Sequence, residues 1–402
     1  RRAGRDDSRA AGRGSRAVSG GATASTEPFP LEVERVPPVE RADLLLVRLP
    51  FVHPFSISSA TWTCKEALVL RVEAGGRVGW GECVADPDPF YAAETTTSAR
   101  HIVTEFLLPL VEPGLTFGEL DSRFAHVRGN RMAKATVENA LVDLAAKVKG
   151  VPLHELLGAS RKRVPSGISI GIQESPEALV GEVAEAVERG YHRVKMKIRK
   201  GKDVDYVAAV RERFPDVHLM ADANGDYLLE DAAHLARLDA FGLTMIEQPL
   251  SYSDFYEHAA LQRELSTPLC LDESIHDLAD ARAAIELGGC RILNLKQGRV
   301  GGLLESMRIL RHAASRGVPV WSGGMDETGI GRAVNIHLQT LDGFTLPGDT
   351  SETSRYFHED LVEPPVVLDA EGFIEVPRGP GIGVEVVPER LERLTLRSER
   401  LK

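Results

Sequence analysis

The fold of this 402-residue chain is decided by the segment Val194-Lys-Met-Lys-Ile198 and by the charged residues that recur after it at regular intervals. Four later apolar segments each carry a charged residue near the carboxyl end. Counted from Lys197, the intervals are 25, 25, 25 and 24 residues, and they lead to Asp222, Glu247, Asp272 and Lys296. An interval of this length accommodates one strand and one helix, which is typical of parallel sheets built from βα units.

The same alternation extends in both directions from this segment. From residue 164 onward, eight short apolar segments alternate with helical patterns, which predicts a (β/α)-barrel. No clear helix follows the last segment, so we expect a TIM-like barrel of the (β/α)7β type. The predicted strands are Ser166–Ile172, Arg193–Ile198, Val217–Ala223, Leu243–Gln248, Leu269–Glu273, Ile292–Lys296, Val318–Ser322 and Phe344–Pro347.

Residues 29–160 have a different organisation. Strand-like segments fill 31–84, with a hairpin turn at Gly75–Gly76, and helical patterns cover 91–110 and 131–149. This order predicts an α+β capping domain that precedes a barrel at 161–350. We expect the C-terminal segment, 351–402, to return to the cap and complete it.

The first 28 residues contain six Arg but no Leu, Ile, Phe or Met, so we expect a disordered leader. Its Arg, Ser and Ala bias is similar to that of a transit peptide, but Asp6 and Asp7 are atypical of one. A non-native leader or an upstream translated extension is favoured.

Composition restricts the class of function. The net charge of −11 argues against a nucleic-acid binder or an anionic-membrane binder. The four widely spaced cysteines favour neither a structural zinc site nor a disulfide framework, and no apolar segment is long enough to span a bilayer. We therefore expect a soluble cytoplasmic protein. A small-molecule carboxylate substrate and a homo-oligomeric state are expected as well, and neither is decided by composition.

Three carboxylates are predicted to meet at one mouth of the barrel. Asp222, Glu247 and Asp272 lie at the carboxyl ends of three consecutive strands, where barrels carry their functional groups. Oxygen ligands without His or Cys favour Mg²⁺, with Mn²⁺ as the alternative. The competing interpretation is that each acid only caps a neighbouring helix.

Lysines are predicted to flank these acids. Lys195 and Lys197 share one face of their strand and point into the barrel, while Lys296 comes from nearly the opposite side. The proximity of the two strand lysines is expected to lower a lysine pKa to roughly 7–8, the range of a general base. This geometry suits proton abstraction next to a carboxylate, although an exposed edge strand would also explain the pair.

In these residues the chain resembles the enolase superfamily, and specifically its muconate-lactonizing subgroup. The resemblance spans about residues 31–395, and the finer motifs are similar to those of the o-succinylbenzoate synthase/N-succinylamino acid racemase branch. These motifs are Arg131-Met-Ala-Lys-Ala135, Gly298-Arg-Val-Gly-Gly302, Trp321-Ser-Gly-Gly-Met-Asp-Glu-Thr-Gly-Ile-Gly-Arg332 and Pro347-Gly-Asp-Thr-Ser351.

The resemblance implies a role for each group. Lys197 would be the acid/base on one face of the substrate and Lys296 would oppose it. Lys195 and Asn224 would line the substrate carboxylate, and the three acids would hold Mg²⁺. The implied reaction is the syn dehydration of 2-succinyl-6-hydroxy-2,4-cyclohexadiene-1-carboxylate to 2-succinylbenzoate in menaquinone biosynthesis. The alternatives are N-succinylamino acid racemisation, both activities together, or a non-catalytic barrel that binds an anionic metabolite.

The sixth strand departs from the family pattern, because Gln297 replaces a proline and could loosen the turn behind Lys296. Arg299 is expected to lower the pKa of Lys296, which would favour racemisation, although a loop salt bridge explains it equally well.

Other candidates carry a weaker signal. Ser169 could contact a substrate carboxylate or only pack within its strand. Gly323, Gly324 and Met325 follow the seventh strand, where glycine lets backbone amides approach a ligand. The loop His53–Ile57 could cover the site through Phe55 or Ile57, and Glu82 is expected to be structural.

Overall fold

The computed structural model describes residues 27–56 and 61–402. The predicted leader lies outside the described residues except for Glu27 and Pro28, and Ile57 lies outside them as well.

The N-terminal part forms a small sheet covered by helices. Strand β2 turns into β3 through Gly75 and Gly76, whose φ angles of 54° and 70° suit glycine. The elements are α1 (Pro30–Val33), β1 (Arg41–Ser56), β2 (Thr61–Ala74), β3 (Arg77–Cys83), α2 (Thr96–Ile102), α3 (Phe117–Phe124), α4 (Arg131–Lys149) and α5 (Leu153–Leu156).

The helix predicted at 91–110 is shorter and less regular than expected. It begins only at Thr96, after the side chain of Thr95 accepts a hydrogen bond from the Ser98 amide at 3.3 Å. After α2 the chain continues as a π-helical turn and then a 3₁₀ turn that contains Pro109. Residues 91–95 are therefore free of the helix, and Tyr91 reaches the barrel.

Helix α4 lies directly against β3 because two glycines allow a close approach. A Cβ added at Gly81 would lie 2.1 Å from the carbonyl oxygen of Thr136, and one at Gly79 would lie 2.3 Å from that of Ala140. Any larger residue would force the helix off the sheet.

Seven parallel strands in sequential order form the barrel sheet, as predicted. After a short strand β4 (Arg163–Pro165) they are β5 (Gly167–Ile170), β6 (Arg193–Lys197), β7 (Leu219–Asp222), β8 (Ile246–Glu247), β9 (Leu269–Leu271), β10 (Ile292–Leu295) and β11 (Val320–Ser322). The helices are α6 (Pro176–Glu188), α7 (Val204–Arg213), α8 (Ala232–Leu235), α9 (Tyr256–Glu264), α10 (Leu278–Leu287), α11 (Gln297–Val300), α12 (Leu303–Ser315) and α13 (Gly329–Leu338).

The eighth predicted strand, Phe344–Pro347, does not form a regular strand. Its neighbourhood instead makes two isolated parallel bridges, Val320 with Phe344 and Ser166 with Gly348. These bridges join it to both edges of the seven-stranded sheet, so the segment closes the barrel without an extended ladder.

The C-terminal segment returns to the N-terminal sheet. Its elements are α14 (Thr353–Tyr356), β12 (Val362–Glu363), β13 (Phe373–Glu375), β14 (Glu385–Val386), α15 (Pro388–Leu394) and β15 (Thr395–Arg400). Strand β15 pairs antiparallel with β1, which gives the cap sheet the order β15-β1-β2-β3. In the described part of the chain, no helix has the length and apolarity needed to cross a membrane.

Candidate active site

An open cavity with an empty volume of about 670 Å³ lies between the cap and the carboxyl ends of the barrel strands. Strand register determines its floor, since β6 pairs Lys197 with Asp222 and β7 pairs Asp222 with Glu247. The apolar outward residues of β6 pack against the surrounding helices, as predicted, which leaves both of its lysines inside the barrel.

Lys197 lies on one side of this floor. Its Nζ donates to Asp222 Oδ2 at 2.6 Å and to Asn224 Oδ1 at 2.8 Å. Asn224 has a left-handed backbone, with φ of 45°, and its side-chain amide donates a hydrogen bond to Glu273 Oε1 at 2.7 Å. This network fixes the direction from which the Lys197 nitrogen faces the cavity.

Lys296 lies on the Asp272 side. Its Nζ is 2.9 Å from Asp272 Oδ2 and 2.9 Å from the hydroxyl of Tyr91, which the cap supplies. Arg299 pairs with Asp272 as well and donates to the same hydroxyl at 3.0 Å.

The expectation that Arg299 lowers the pKa of Lys296 describes only one of several effects. Burial and Arg299 both lower the pKa of Lys296, but Asp272 and the Tyr91 oxygen outweigh them, so the pKa is raised. Arg299 and Lys296 share one carboxylate, and the salt bridge considered from the sequence is therefore present.

Lys195 is surrounded by three carboxylates. Its Nζ is 3.3 Å from Asp222, 3.3 Å from Glu247 and 2.7 Å from Asp349. The sequence predicted a lowered lysine pKa in this pair, but these acids overcome burial and raise the pKa of Lys195 well above its ordinary value. The prediction was wrong for this residue because it counted the neighbouring ammonium and not the acids.

Asp349 is the main residue to which the sequence assigned no role. It lies directly after the closing segment of the barrel, within the quoted motif Pro347–Ser351, and also pairs with the buried Arg193. The sequence did contain a signal for this residue, because Asp349 follows the end of a predicted strand.

The donor set suits a divalent cation. Asp222, Glu247 and Asp272 are each at most 1% exposed and offer only oxygen atoms. Glu247 Oε2 is buried and accepts no hydrogen bond from the described residues. Burial raises the pKa of Glu247, and Asp222 raises it further, so positive charge at this point would favour its ionised form.

These carboxylates are paired with cationic side chains. Within residues 27–56 and 61–402, no group of three or more His, Cys, Asp or Glu side chains is arranged as a metal site. A cation would therefore replace ion pairs with Lys195, Lys197 and Lys296.

Not all of the remaining candidate residues from the sequence line the cavity. Ser169, Gly324 and Met325 line the cavity, and Ser169 Oγ has no hydrogen-bond partner among the described residues. Gly323 instead packs against Asn294 and Lys296: an added Cβ would lie 2.3 Å from the Asn294 amide oxygen.

Gln297 lies in the turn behind Lys296, and a looser turn at this residue stays a prediction. It starts α11, is 1% exposed, and accepts a hydrogen bond from the Asn139 amide at 2.9 Å. Glu82, expected to be structural, binds the barrel by accepting hydrogen bonds from Thr328 and Gly331.

The cap provides the roof of the cavity. Phe55, predicted from the loop His53–Ile57, is part of it, together with Phe51, Trp62 and Tyr91. Lys65 and Asp86 also face this space. Sequence analysis missed these two because strand and loop positions in the cap have no periodic relation to the barrel.

Sequence comparison identifies the family. The profile described as Enolase C-terminal domain-like matches residues 178–390, and that of the mandelate racemase/muconate lactonizing enzyme N-terminal domain matches residues 42–158. The chain belongs to the enolase superfamily. It is therefore a metal-dependent enzyme, as the sequence predicted.

Relatives in this superfamily match nearly the whole chain. An o-succinylbenzoate synthase of Geobacillus kaustophilus is 48% identical over 360 residues, which cover 89% of this chain and 96% of that protein. An N-succinylamino acid racemase of Thermus thermophilus is 47% identical over 361 residues, or 89% and 97%. The crystal structure of an enolase superfamily member from Listeria innocua has a TM-score of 0.88 and 40% identity, covering 91% of this chain and all of that one.

Proposed function

We propose that this enolase superfamily enzyme is an o-succinylbenzoate synthase, which removes water from 2-succinyl-6-hydroxy-2,4-cyclohexadiene-1-carboxylate to form 2-succinylbenzoate. The observation that supports this most directly is the pair of buried lysines, Lys197 on Asp222 and Lys296 on Asp272, at one cavity. Relatives that are 44–48% identical over most of the chain carry this name.

In this proposal the two lysines have different tasks. Neutral Lys197 takes the proton from the carbon next to the substrate carboxylate, and the resulting ammonium returns it to the departing hydroxyl, which leaves as water. Lys296, as an ammonium, stabilises the negative charge of the substrate enediolate. Lys195 and Asn224 orient the reacting carboxylate.

Asp222, Glu247 and Asp272 would hold the divalent ion, for which Mg²⁺ is proposed and Mn²⁺ is the alternative. When bound, this ion supplies charge that stabilises the carboxylate during proton removal. The finer assignments complete the proposal: menaquinone biosynthesis, a cytoplasmic location, a homo-oligomer, and domains at 29–160, 161–350 and 351–402.

N-succinylamino acid racemisation is the second candidate. Racemisation needs an acid/base group on each face of the substrate, and Lys197 and Lys296 each have their own carboxylate partner. The Thermus thermophilus relative carries this name. The same site would then exchange the α-proton without losing a leaving group.

Two assays test the proposal on the purified protein with Mg²⁺. Ultraviolet absorbance follows loss of the cyclohexadiene, and NMR in D₂O follows α-proton exchange of an N-succinyl amino acid. Lys197→Ala and Lys296→Ala should each lower turnover by about 10²–10⁴-fold while metal binding persists. Lys200→Ala is the matched control, because Lys200 is exposed and pairs with Asp231 on the surface.

Each outcome of these assays supports or refutes one part of the proposal. Full turnover in the Lys197→Ala/Lys296→Ala double variant would refute proton transfer by these groups, and full activity after chelation would refute the metal assignment. Dehydration that is much faster than exchange supports the synthase, and the reverse supports the racemase. Inactivity in both, with intact metal binding, would retain the fold and the metal site and leave the substrate unassigned.

A further inference from the structure

Glu273 is a buried carboxylate beside the active site. It directly follows Asp272, just after β9, and is 8% exposed. Its Oε1 accepts a hydrogen bond from the side-chain amide of Asn224 at 2.7 Å, and its Oε2 is buried without a hydrogen-bond partner among the described residues. Within that part of the chain, Asn224 is therefore the one hydrogen-bond partner of the Glu273 side chain.

The stability of the fold gives little reason for a carboxylate at this position. Burial of an ionised carboxylate is unfavourable unless several hydrogen bonds or a close ion pair compensate for it. The described residues give Glu273 a single hydrogen bond, and its donor is a neutral amide. What the carboxylate does for Asn224 is the better explanation for its presence.

Glu273 determines which way the side-chain amide of Asn224 points. Asn224 Oδ1 accepts a hydrogen bond from Lys197 Nζ at 2.8 Å, while its Nδ2 donates to Glu273. An ammonium can only donate and a carboxylate can only accept. If the amide turned over, donor would face donor at Lys197 and acceptor would face acceptor at Glu273. Glu273 thus holds the oxygen of Asn224 toward Lys197.

The main chain of Asn224 is held separately. Its φ of 45° lies in the left-handed region, and its backbone amide donates to Asp222 Oδ1 at 3.1 Å. With the backbone held in this way, the rotation of the side chain is the freedom that remains. The hydrogen bond to Glu273 restricts that rotation.

Lys197 depends on Asn224 more strongly once Asp222 binds a cation. In the described part of the chain, the Lys197 nitrogen has two hydrogen-bond partners, Asp222 Oδ2 and Asn224 Oδ1. Asp222 is assigned to the divalent ion, and an ion bound there would compete with Lys197 for that carboxylate. Asn224 is then the partner that Lys197 keeps, so the orientation of Asn224 sets the position of the Lys197 nitrogen.

We propose that Glu273 is a positioning residue for Lys197: through Asn224 it holds the Lys197 nitrogen at the face of the substrate from which the α-proton is removed. This rests on the proposed function, since that function makes Lys197 the acid/base group. Glu273 itself does not touch the substrate in this proposal.

The effect of Glu273 should be confined to one face of the substrate. Lys296 on the other side is held by Asp272 and Tyr91, not by Asn224. The competing explanation is that Glu273 only balances the charge of Lys296 and Arg299. That explanation predicts a larger effect of Glu273 on the Lys296 side.

The test compares the two enantiomers of one N-succinyl amino acid. Each enantiomer presents its α-hydrogen to one of the two lysines, and Lys197→Ala identifies the enantiomer that depends on Lys197. NMR in D₂O with Mg²⁺ measures α-proton exchange of both enantiomers by the native enzyme, Glu273→Leu and Glu273→Gln. Dehydration is measured on the same preparations. Leucine removes the acceptor at similar size, whereas glutamine keeps an acceptor and removes the charge.

Glu273→Leu should slow exchange of the Lys197-dependent enantiomer by about 10²-fold, because a misplacement of about 1 Å has an effect of this size. Dehydration should fall in parallel, exchange of the other enantiomer should change far less, and Glu273→Gln should restore part of the lost rate. Calorimetry should show unchanged Mg²⁺ affinity. Glu286→Gln is the matched control, because its side chain is 51% exposed and pairs with Arg316, so both exchange rates should remain native.

Equal losses for both enantiomers, a larger loss for the Lys296-dependent one, or a fall in Mg²⁺ affinity that accounts for the loss would overturn the inference. Native rates in both Glu273 variants would overturn it too and leave the proposed function intact. If Glu273→Leu does not fold, Glu273→Gln takes its place.

A native enzyme with neither dehydration nor exchange would refute the proposed function instead. Wherever exchange is absent, crystal structures of the native enzyme and of Glu273→Leu decide the inference. A displaced Lys197 nitrogen with a turned Asn224 amide would support positioning by Glu273, and unmoved side chains would overturn it.

Discussion

The substitution Asp349→Asn removes one charge from two buried ion pairs of the barrel, those of Asp349 with Lys195 and Arg193. Asp349 is 8% exposed, its Oδ2 lies 2.7 Å from Lys195 Nζ, and its Oδ1 accepts a hydrogen bond from Arg193. Asparagine preserves the shape but leaves two buried cations with less compensation. Removing one partner of a buried pair destabilises a protein by about 3–5 kcal/mol.

The remaining contacts reduce that cost. Lys195 keeps two carboxylates at 3.3 Å, and Arg193 keeps the Pro347 carbonyl oxygen at 3.1 Å and the Trp321 ring, whose centroid is 4.4 Å away. We therefore expect the lower end of the range, a loss of about 3 kcal/mol in the free energy of unfolding at pH 7.

The pH dependence of this loss shows whether the ionised form of Asp349 is the source of the stabilisation. Burial alone would raise its pKa, but Arg193 and Lys195 together hold the pKa below its ordinary value. The stabilisation is thus complete above the unfolded pKa of about 4 and is lost as pH falls through the folded pKa. The difference between native and variant should be constant from about pH 5 to 8 and shrink below about pH 4.

Urea unfolding followed by circular dichroism, with excess chelator present, measures this difference. Asp342→Asn is the control, because the ion pair of Asp342 with Arg161 is exposed. An exposed ion pair contributes at most about 1 kcal/mol to the free energy of unfolding. A loss below about 0.5 kcal/mol for Asp349→Asn, or a difference that increases as pH falls, would refute the electrostatic account.

Two further substitutions, with Gly201→Ala as a control, test how the cap and barrel are joined. Gly302→Ala should destabilise by more than about 2 kcal/mol, because its Cβ would lie 1.8 Å from Glu138 Oε2 at a φ of 119°. Gly201→Ala, with positive φ but open space, should cost about 1 kcal/mol in the same unfolding assay, and equal losses would contradict this. Glu82→Gln should cost about 1–3 kcal/mol, because its new amide donor would oppose the donors of Thr328 and Gly331; unchanged thermal unfolding would show that this junction contributes nothing.

Sequence periodicity alone predicted the barrel and the convergence of its charged strand ends. Parallel strands that recur every 25 residues must direct their carboxyl ends to one mouth, so Lys197, Asp222 and Glu247 are neighbours whatever the helices do. Alternation within β6 likewise placed both lysines inside, because side chains of a strand alternate between its faces.

The sequence could not predict how those groups are paired. Asp349 reaches Lys195 only because the segment after β11 closes the barrel through two bridges. Tyr91 reaches Lys296 only because its loop lies outside the helix that follows it. Asp349 contributes to the raised pKa of Lys195, and this contribution could not be predicted because a partner more than 150 residues away has no local signal.

The sequence by itself thus determined that the lysines and carboxylates at the strand ends meet, because their positions follow from the strand period and from hydrophobic patterning. Only the tertiary structure decided their charge states and the shape of the cavity above them. Those properties depend on burial and on distances of about 3 Å between side chains of the cap, the barrel and the returning C-terminal segment, and such distances are set by packing.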